Sequence, residues 1–145
     1  MKPQKIPTLA GTLTPFPFQV DCETSISEAR DIMNKHDIRH LIVMENRDIA
    51  GIITDRDLHH HAALYGGKPD DSLTVKDIYN TNIVVADIHD PLDKVLESMA
   101  ERHIGSVVVL NKGELAGIFT TTDACKHFAK FIQENETKQP PDMLA

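Results

Sequence analysis

One stretch of eight residues occurs twice in this chain, and this duplication limits the possible folds more than any other feature. Residues 50–57 read Ala-Gly-Ile-Ile-Thr-Asp-Arg-Asp, and residues 116–123 read Ala-Gly-Ile-Phe-Thr-Thr-Thr-Asp. Aligning residues 13–63 with residues 79–129 needs no gap and gives 11 identities in 51 pairs, five of them within the octet. Average residue usage would give about one match in fifteen by chance. The chain is therefore predicted to fold as two copies of one supersecondary unit.

Each octet predicts a buried strand that ends where a helix begins. Thr54 and Thr120 stand where a helix N-cap is expected, and Asp57 and Asp123 follow at the third position, which suits the positive end of the helix dipole. Capping alone is one interpretation of this pattern. The other is a ligand site, in which the carboxylate accepts hydrogen bonds from a sugar diol while the Thr and the first backbone N–H groups meet an anion.

The apolar pattern around each octet predicts the order strand, helix, strand, strand, helix. In the first half we expect an edge strand at 16–20, a helix opened by Ser25 and Glu28 as a capping box, a hairpin of 41–44 and 49–53, and a helix from Thr54 toward Ala63. In the second half we expect an edge strand at 83–86, a helix with Asp90 as N-cap before Pro91, a hairpin of 107–110 and 115–120, and a helix over about 121–134. Between and after the halves we expect a turn-rich connector at 66–71, a short helix at 72–79 and a loose tail at 139–142.

These elements predict an α/β (α+β) fold of two pseudo-symmetric β-α-β-β-α repeats packed sheet to sheet in one module. The expected boundaries are residues 10–65 for the first repeat, 66–78 for the connector, 79–131 for the second repeat and 132–145 for the C-terminal tail. A unit of about fifty residues exposes too much apolar surface to be stable alone. Crevices between duplicated halves are therefore expected to be the ligand sites.

Composition excludes several partner classes. A formal net charge of −7 argues against binding to nucleic acid, which depends on clustered Lys and Arg. No apolar run approaches the ~20 residues that cross a bilayer, and no apolar signal core follows the N-terminus, so we expect no membrane partner and a cytoplasmic location. Cys22 and Cys125 are then expected to be reduced thiols.

The sequence predicts neither a catalytic nor a metal site. The carboxylate pair of Asp55 and Asp57 lacks any sign of the separated pKa values that acid–base catalysis requires, so an enzyme is not expected. His59, His60 and His61 are consecutive, and consecutive helical residues point about 100° apart, so they cannot all bind one ion. Their role stays open, although His61 and His127 occupy corresponding positions.

The residues quoted above resemble a tandem pair of CBS domains, the arrangement called a Bateman module. Residues 51–57 and 117–123 are similar to the family's Gly-apolar-x-Ser/Thr-x-x-Asp nucleotide motif, and the entries to the hairpins at 38–41 and 104–107 agree with it as well. The resemblance covers residues 10–131, nearly the whole chain. It implies a stand-alone regulatory module that binds an adenosine-containing nucleotide in clefts between the two repeats. AMP, ADP, ATP and S-adenosylmethionine are the implied ligands, and no cofactor is required.

The resemblance also implies two sets of binding residues, each drawn from both repeats. The first set is Thr120, Asp123, Thr14, Phe18, Ile38, Arg39 and His40. The second set is Thr54, Asp57, Asn80, Val84, Ile104, Gly105 and Ser106, with Arg56 as an additional phosphate-end or ribose-adjacent group. In each set the Asp would bind the ribose hydroxyls, the Thr would bind the phosphate end, and the apolar side chains would enclose adenine.

The two sets differ in charge, because Arg39-His40 corresponds to Gly105-Ser106. Arg binds phosphate through charge-assisted hydrogen bonds worth about 1.5–3 kcal/mol, so the Arg39 site is predicted to be the better nucleotide site. The family also implies a homodimer, with an unidentified client protein as a further partner. The alternative function is a protein-interaction and dimerisation scaffold whose clefts are vestigial and empty.

Overall fold

The computed structural model describes residues 5–15, 17–65 and 73–136, which fall into two units with one sheet each. We call the described residues of 17–83 the first unit, and those of 1–16 and 84–145 together the second unit. The predicted mixed α/β class is confirmed. The units do not coincide with the sequence repeats, since the N-terminal residues pack with the second half of the chain. The predicted boundaries of the two repeats, the connector and the tail stay predictions.

The first unit contains a three-stranded sheet in the order β2-β3-β4. Its elements are β2 (Gln19–Asp21), α2 (Ile26–His36), β3 (His40–Glu45), β4 (Asp48–Thr54), α3 (Asp55–Tyr65) and a 3-10 turn at Val75–Asp77. Strand β2 runs parallel to β3, and β3 pairs antiparallel with β4. The Ser25 hydroxyl caps α2 by accepting a hydrogen bond from the Glu28 N–H at 3.0 Å. The predicted edge position of the first strand is confirmed, because β2 has a neighbour on one side only.

The second unit contains a four-stranded sheet in the order β1-β7-β6-β5. Its elements are α1 (Leu9–Thr12), β1 (Thr14–Pro15), β5 (Val85–Asp87), α4 (Leu92–Arg102), β6 (Ser106–Asn111), β7 (Glu114–Thr120) and α5 (Thr121–Glu134). The pairings of β5 with β6 and of β6 with β7 repeat the registers of β2, β3 and β4 with every residue number raised by 66. The duplicated sequence therefore folds into duplicated sheets.

Each unit has its own apolar core between its helices and one face of its sheet. In the first unit the buried face of α2 (Ile26, Ala29 and Met33) packs with Leu41 and Ile53 from the strands. In the second unit the corresponding cluster also includes a residue from the N-terminal segment, Leu9, which is 1% exposed. Leu9 lies in the four-residue helix α1, and β1 then pairs antiparallel with β7. The N-terminal segment is therefore part of the second unit's fold.

Two predicted elements near helix starts are wrong in detail. The helix expected at 72–79 is only the 3-10 turn Val75–Asp77 among the described residues. Asp90 does not cap α4, because the helix begins at Leu92 with Pro91 as its N-cap and Asp90 lies one position before the cap. The Asp90 carboxylate instead accepts a hydrogen bond from the Asp87 N–H at 3.0 Å. The predicted connector at 66–71 and tail at 139–142 lie outside the described residues.

Candidate ligand-binding site

The strand–helix junction of the second unit is a reciprocal capping box formed by Thr120 and Asp123. The Asp123 N–H donates to Thr120 Oγ1 at 3.2 Å, while Asp123 Oδ2 accepts from the Thr120 N–H at 2.9 Å and from its hydroxyl at 3.1 Å. Thr120 is the N-cap of α5. The motif therefore does cap the helix, as the first interpretation predicted, and the capping bonds hold the Asp123 carboxylate in one orientation.

The first unit repeats this arrangement with Thr54 and Asp57. The Thr54 N–H donates to Asp57 Oδ2 at 2.9 Å, and the Asp57 N–H donates to Thr54 Oγ1 at 3.1 Å. Asp57 and Asp123 thus both lie in the first turn of a helix, where the exposed backbone N–H groups favour negative charge.

A third residue of the predicted first set joins Asp123. The Thr14 hydroxyl, in β1, donates to Asp123 Oδ1 at 3.0 Å. A carboxylate offers about four acceptor positions, and the bonds from Thr120 and Thr14 use three of them. The remaining position on Asp123 suits one more donor, such as a hydroxyl group of a sugar.

In the first unit, Asn80 lies at the place that corresponds to Thr14. Its backbone pairs with that of Ile52, with N–O distances of 3.1 and 2.9 Å. In both units a short segment therefore pairs antiparallel with the strand that carries the motif. We call these the crossing segments: β1, which precedes β2 in the sequence, pairs with β7, and Asn80, which precedes β5, pairs with β4.

The glycines that open the two motifs make this crossing possible. A Cβ on Gly117 would collide with the Thr14 carbonyl oxygen, and a Cβ on Gly51 would collide with the Asn80 carbonyl oxygen. This role of the glycines is not among the sequence-based predictions above. It was detectable, because the repeat aligns Thr14 with Asn80 and a glycine inside a strand commonly marks close approach of another backbone.

The start of each hairpin lies beside the motif of its own unit. His40 pairs with Thr54, and the Asp55 N–H donates to the Arg39 carbonyl at 3.0 Å. In the second unit Ser106 pairs with Thr120, and the Thr121 N–H donates to the Gly105 carbonyl at 3.0 Å. The resemblance assigned Arg39 and His40 to the set of Asp123, which belongs to the other unit, so that assignment stays a prediction. The same holds for the sharing of Ile38, Val84, Ile104, Ser106 and Arg56 between the sets.

Arg39 also lines a polar cavity of about 360 Å³ within the first unit, between the end of α2 and the start of α3. The exposed side chains of Asp37, Asp55 and His59 line it as well. The guanidinium of Arg30 lines the cavity too, so its two carboxylates match its two guanidinium groups and the lining has no net formal charge to attract an anion. The prediction that Arg39 makes the stronger phosphate site is therefore not strengthened by its own surroundings.

Phe18, expected to contact adenine, stacks on His36 with ring centroids 4.2 Å apart and an interplanar angle of 23°. Its side chain is still 43% exposed, so one ring face or edge remains open to a ligand. The corresponding residue of the second unit, Val84, is half-buried against that unit's core.

The described part of the chain contains no group of three His, Cys, Asp or Glu side chains close enough to hold a metal ion. His59 and His60 are exposed on α3, whereas His61 is buried. None of the described helices is long and apolar enough to cross a membrane.

A duplicated β-α-β-β-α unit with a Thr-x-x-Asp capping box at each strand–helix junction defines a tandem-repeat module of the mixed α/β class. Comparison with known families agrees with this description, since the model of the CBS domain matches residues 10–63 and 75–130. The chain belongs to the CBS-domain family, as a tandem pair.

Curated relatives include enzymes and a small CBS protein. The chain is 31% identical over 131 residues to L-aspartate semialdehyde sulfurtransferase of Methanocaldococcus jannaschii, covering 88% of this chain and 25% of that protein. It is 25% identical over 116 residues to the CBS domain-containing protein YhcV of Bacillus subtilis, covering 80% of this chain and 81% of that protein. The chain thus spans a quarter or less of the enzymes matched first, which include an A-adding tRNA nucleotidyltransferase at 12%.

Solved structures share the fold over most of the chain. The CBS domain pair of protein MJ0100, in complex with 5′-methylthioadenosine and S-adenosyl-L-methionine, is 29% identical with a TM-score of 0.74, covering 87% of this chain and 98% of that one. A putative acetoin utilization protein (AcuB) of Vibrio cholerae is 22% identical with a TM-score of 0.77, covering 94% of this chain and 100% of that one, and shows likeness of fold alone.

Proposed function

We propose that this chain is a regulatory module that binds an adenosine-containing ligand, with the Asp123 carboxylate accepting a hydrogen bond from one ribose hydroxyl. The observation that carries this proposal is the fixed Asp123 side chain, which Thr120 and Thr14 hold with one acceptor position to spare. A carboxylate oriented in advance accepts a hydrogen bond from a sugar hydroxyl without the cost of ordering itself. Asp57, in the matching capping box, is proposed to do the same in the first unit.

The adenosine part is proposed to be the main determinant of binding. The ligands of the related MJ0100 domain pair, 5′-methylthioadenosine and S-adenosyl-L-methionine, share adenosine and carry no phosphate. This chain has a formal net charge of −7, which repels polyphosphates at long range. We therefore expect 5′-methylthioadenosine and S-adenosylmethionine to bind more tightly than ATP, with AMP and ADP between them.

We propose that this binding has a regulatory role and that the chain itself catalyses no reaction. In the enzymes among its relatives, the segment that matches this chain makes up a quarter of the protein or less. A ligand can regulate only by binding two states of the protein with different affinity. The proposed states are two arrangements of a homodimer.

Calorimetric titration with 5′-methylthioadenosine, S-adenosylmethionine, AMP and ATP tests the proposal. Asp123→Asn and Asp57→Asn should each weaken binding, and the double variant should abolish it. Asp93→Asn is the matched control, since it removes an exposed carboxylate from the first turn of α4 in the second unit. Absence of heat with all four compounds, or equal affinity in the double variant and the control, would reject the proposal.

The second candidate function is an interaction scaffold with empty sites. Exposed apolar side chains on α5 favour it: Phe128 is 65% exposed and Ile132 is 50% exposed. The two functions separate in a thermal unfolding experiment, because a ligand that binds the native state raises its melting temperature and a scaffold gains nothing from adenosine compounds.

A further inference from the structure

A groove in the second unit lies between α4 and the edge strand β5, and Val84 is the one residue assigned to nucleotide binding that lines it. Its volume is about 320 Å³. The floor is apolar and one wall is polar and cationic. The floor residues are Val84, Ala86, Val95 and Val107, and the wall residues are Lys94, Ser98 and Arg102.

The wall is a regular stripe along one face of α4. Lys94, Ser98 and Arg102 are spaced four residues apart, so each lies one turn beyond the last and the stripe extends for about 12 Å. Lys94 lies 3.5 Å from Glu97, but both side chains are more than 60% exposed, and such a pair contributes little. Among the described residues one carboxylate lines the groove, that of Asp90, against the two cationic groups of Lys94 and Arg102. The groove is therefore locally cationic in a chain of net charge −7.

The first unit shows what fills the corresponding place. There Phe18 stands where Val84 stands in the second unit, His36 stands where Arg102 stands, and the Phe18 ring stacks on the His36 ring at 4.2 Å. The other two wall positions are Glu28 and Ile32, and Ile32 packs against the core. The first unit thus fills this place with its own aromatic ring and has an acidic wall residue, whereas valine at position 84 supplies no ring.

We propose that the groove binds an aromatic or heteroaromatic anion. The ring takes the place that the Phe18 ring fills in the first unit, lies over Val84 and Val107, and stacks on the guanidinium of Arg102, which favours aromatic faces. The anionic group points along α4 toward the Ser98 hydroxyl and the Lys94 ammonium, which supply a neutral and a charged donor. The volume is at the small end for ligand cavities, which fits one or two fused rings with a single carboxylate or phosphate.

This site is separate from the proposed adenosine function. It shares only Val84 with the residues assigned to nucleotide binding, and Val84 is left unchanged in the test. The probe is indole-3-acetate, and its uncharged amide, indole-3-acetamide, is the control ligand. Binding is followed by amide chemical shifts in two-dimensional NMR of the full chain, with 5′-methylthioadenosine titrated in parallel.

We expect indole-3-acetate to shift the amides of β5 and of residues 94–102, and to bind at least fivefold more tightly than the amide. Arg102→Ala should weaken both compounds, and Lys94→Glu should weaken the carboxylate at least tenfold while leaving the amide unchanged. Lys112→Glu is the matched control, because it reverses an exposed charge in the β6–β7 turn of the same unit. The Lys112→Glu variant should bind indole-3-acetate as tightly as the native chain does.

Equal binding of indole-3-acetate by the native chain and by Lys94→Glu and Arg102→Ala would overturn the proposal, as would shifts confined to residues outside the groove. Failure of the adenosine proposal looks different. In that case 5′-methylthioadenosine gives no shift at Thr120 or Asp123, while indole-3-acetate still shifts the α4 amides.

Discussion

The Thr14 hydroxyl donates a hydrogen bond to Asp123 Oδ1 at 3.0 Å, joining two residues that are 109 positions apart in the sequence. Thr14 lies in β1, which crosses β7 just before the helix that Asp123 helps to cap. The N-terminal segment therefore contributes directly to the junction that carries the sequence motif. The capping box fixes Asp123 Oδ2, and Thr14 fixes the other oxygen.

Thr14→Val should weaken adenosine-ligand binding by up to about tenfold, a loss of about 1.4 kcal/mol, because it removes one charge-assisted hydrogen bond that orients the Asp123 carboxylate. The bond is exposed, so the free energy of unfolding should fall by less than about 1 kcal/mol. Calorimetry with 5′-methylthioadenosine and chemical denaturation measure the two effects. Thr122→Val, on an exposed residue of the same helix turn, is the control. Unchanged affinity in Thr14→Val would show that Asp123 needs no help from β1.

Gly117→Ala should destabilise the second unit by about 1–3 kcal/mol, the usual cost of overpacking. The new Cβ would collide with the Thr14 carbonyl oxygen and lie 2.7 Å from Leu13 Cδ1, and a backbone oxygen in a paired strand cannot move away cheaply. Gly51→Ala should have a similar effect in the first unit, where the Cβ would collide with the Asn80 carbonyl oxygen and lie 2.8 Å from Tyr79 Cε2. Urea denaturation followed by circular dichroism measures both.

Gly105→Ala is the matched control for these two variants. A Cβ at Gly105 would meet nothing within 4 Å, and its backbone is not left-handed. Its stability should be unchanged or raised by about 0.4–1 kcal/mol through loss of freedom in the unfolded chain. If all three substitutions cost the same, the glycines of the motif are not needed for the crossing segments.

Helix caps and apolar spacing in the sequence predicted most helices and strands well, but they did not predict the crossing segments. The start of α5 at Thr121 follows from its N-cap Thr120, and the apolar spacing carried the prediction to Glu134, where the helix ends. Strand β1 has only two residues, one of them a proline, and its partner lies in the other half of the chain, so no local pattern marks it. Asp90 carried a genuine capping signal, but the Asp87 N–H competes for the same carboxylate. Residue types cannot rank two such donors without the geometry of the turn.

The two thiols should differ sharply in reactivity. Burial raises the pKa of the Cys22 thiol, and the carboxylates of Asp21, Glu45 and Glu23 raise it further. A raised pKa leaves less thiolate at pH 8, and the thiolate is the reactive form. Cys125 is exposed on α5. Iodoacetamide at pH 8, added to protein diluted until it sediments at 16.2 kDa, should therefore modify Cys125 at least ten times faster than Cys22, as read by peptide mass spectrometry.

Denaturation in urea is the control for the thiol experiment, since it should bring the two rates close together. Cys125→Ser should leave only the slow reaction in the native protein. Fast labelling of Cys22 in the folded chain would contradict its burial in the first unit's core, where it is 5% exposed.

The exposed apolar stripe of α5 should form the interface of the proposed homodimer. Cys125, Phe128, Ala129 and Ile132 recur at the spacing of one helix face and are all exposed, and no residue of this 14-residue helix is buried. Full burial of a Phe side chain is worth about 1.5–3 kcal/mol, and a two-fold interface buries it on both subunits. Phe128→Ser should therefore weaken dimerisation by at least tenfold, shifting the sedimenting mass from twice 16.2 kDa toward 16.2 kDa.

Lys130→Ser is the control for this interface, because Lys130 is exposed on the same helix but is not three or four residues away from any residue of the stripe. It should sediment like the native chain. Phe128→Ser should also keep its circular dichroism spectrum, since Phe128 is 65% exposed and lies outside the core cluster of the second unit. A native chain that sediments at 16.2 kDa at every concentration would contradict the dimer, and the stripe would then be left to a different protein partner.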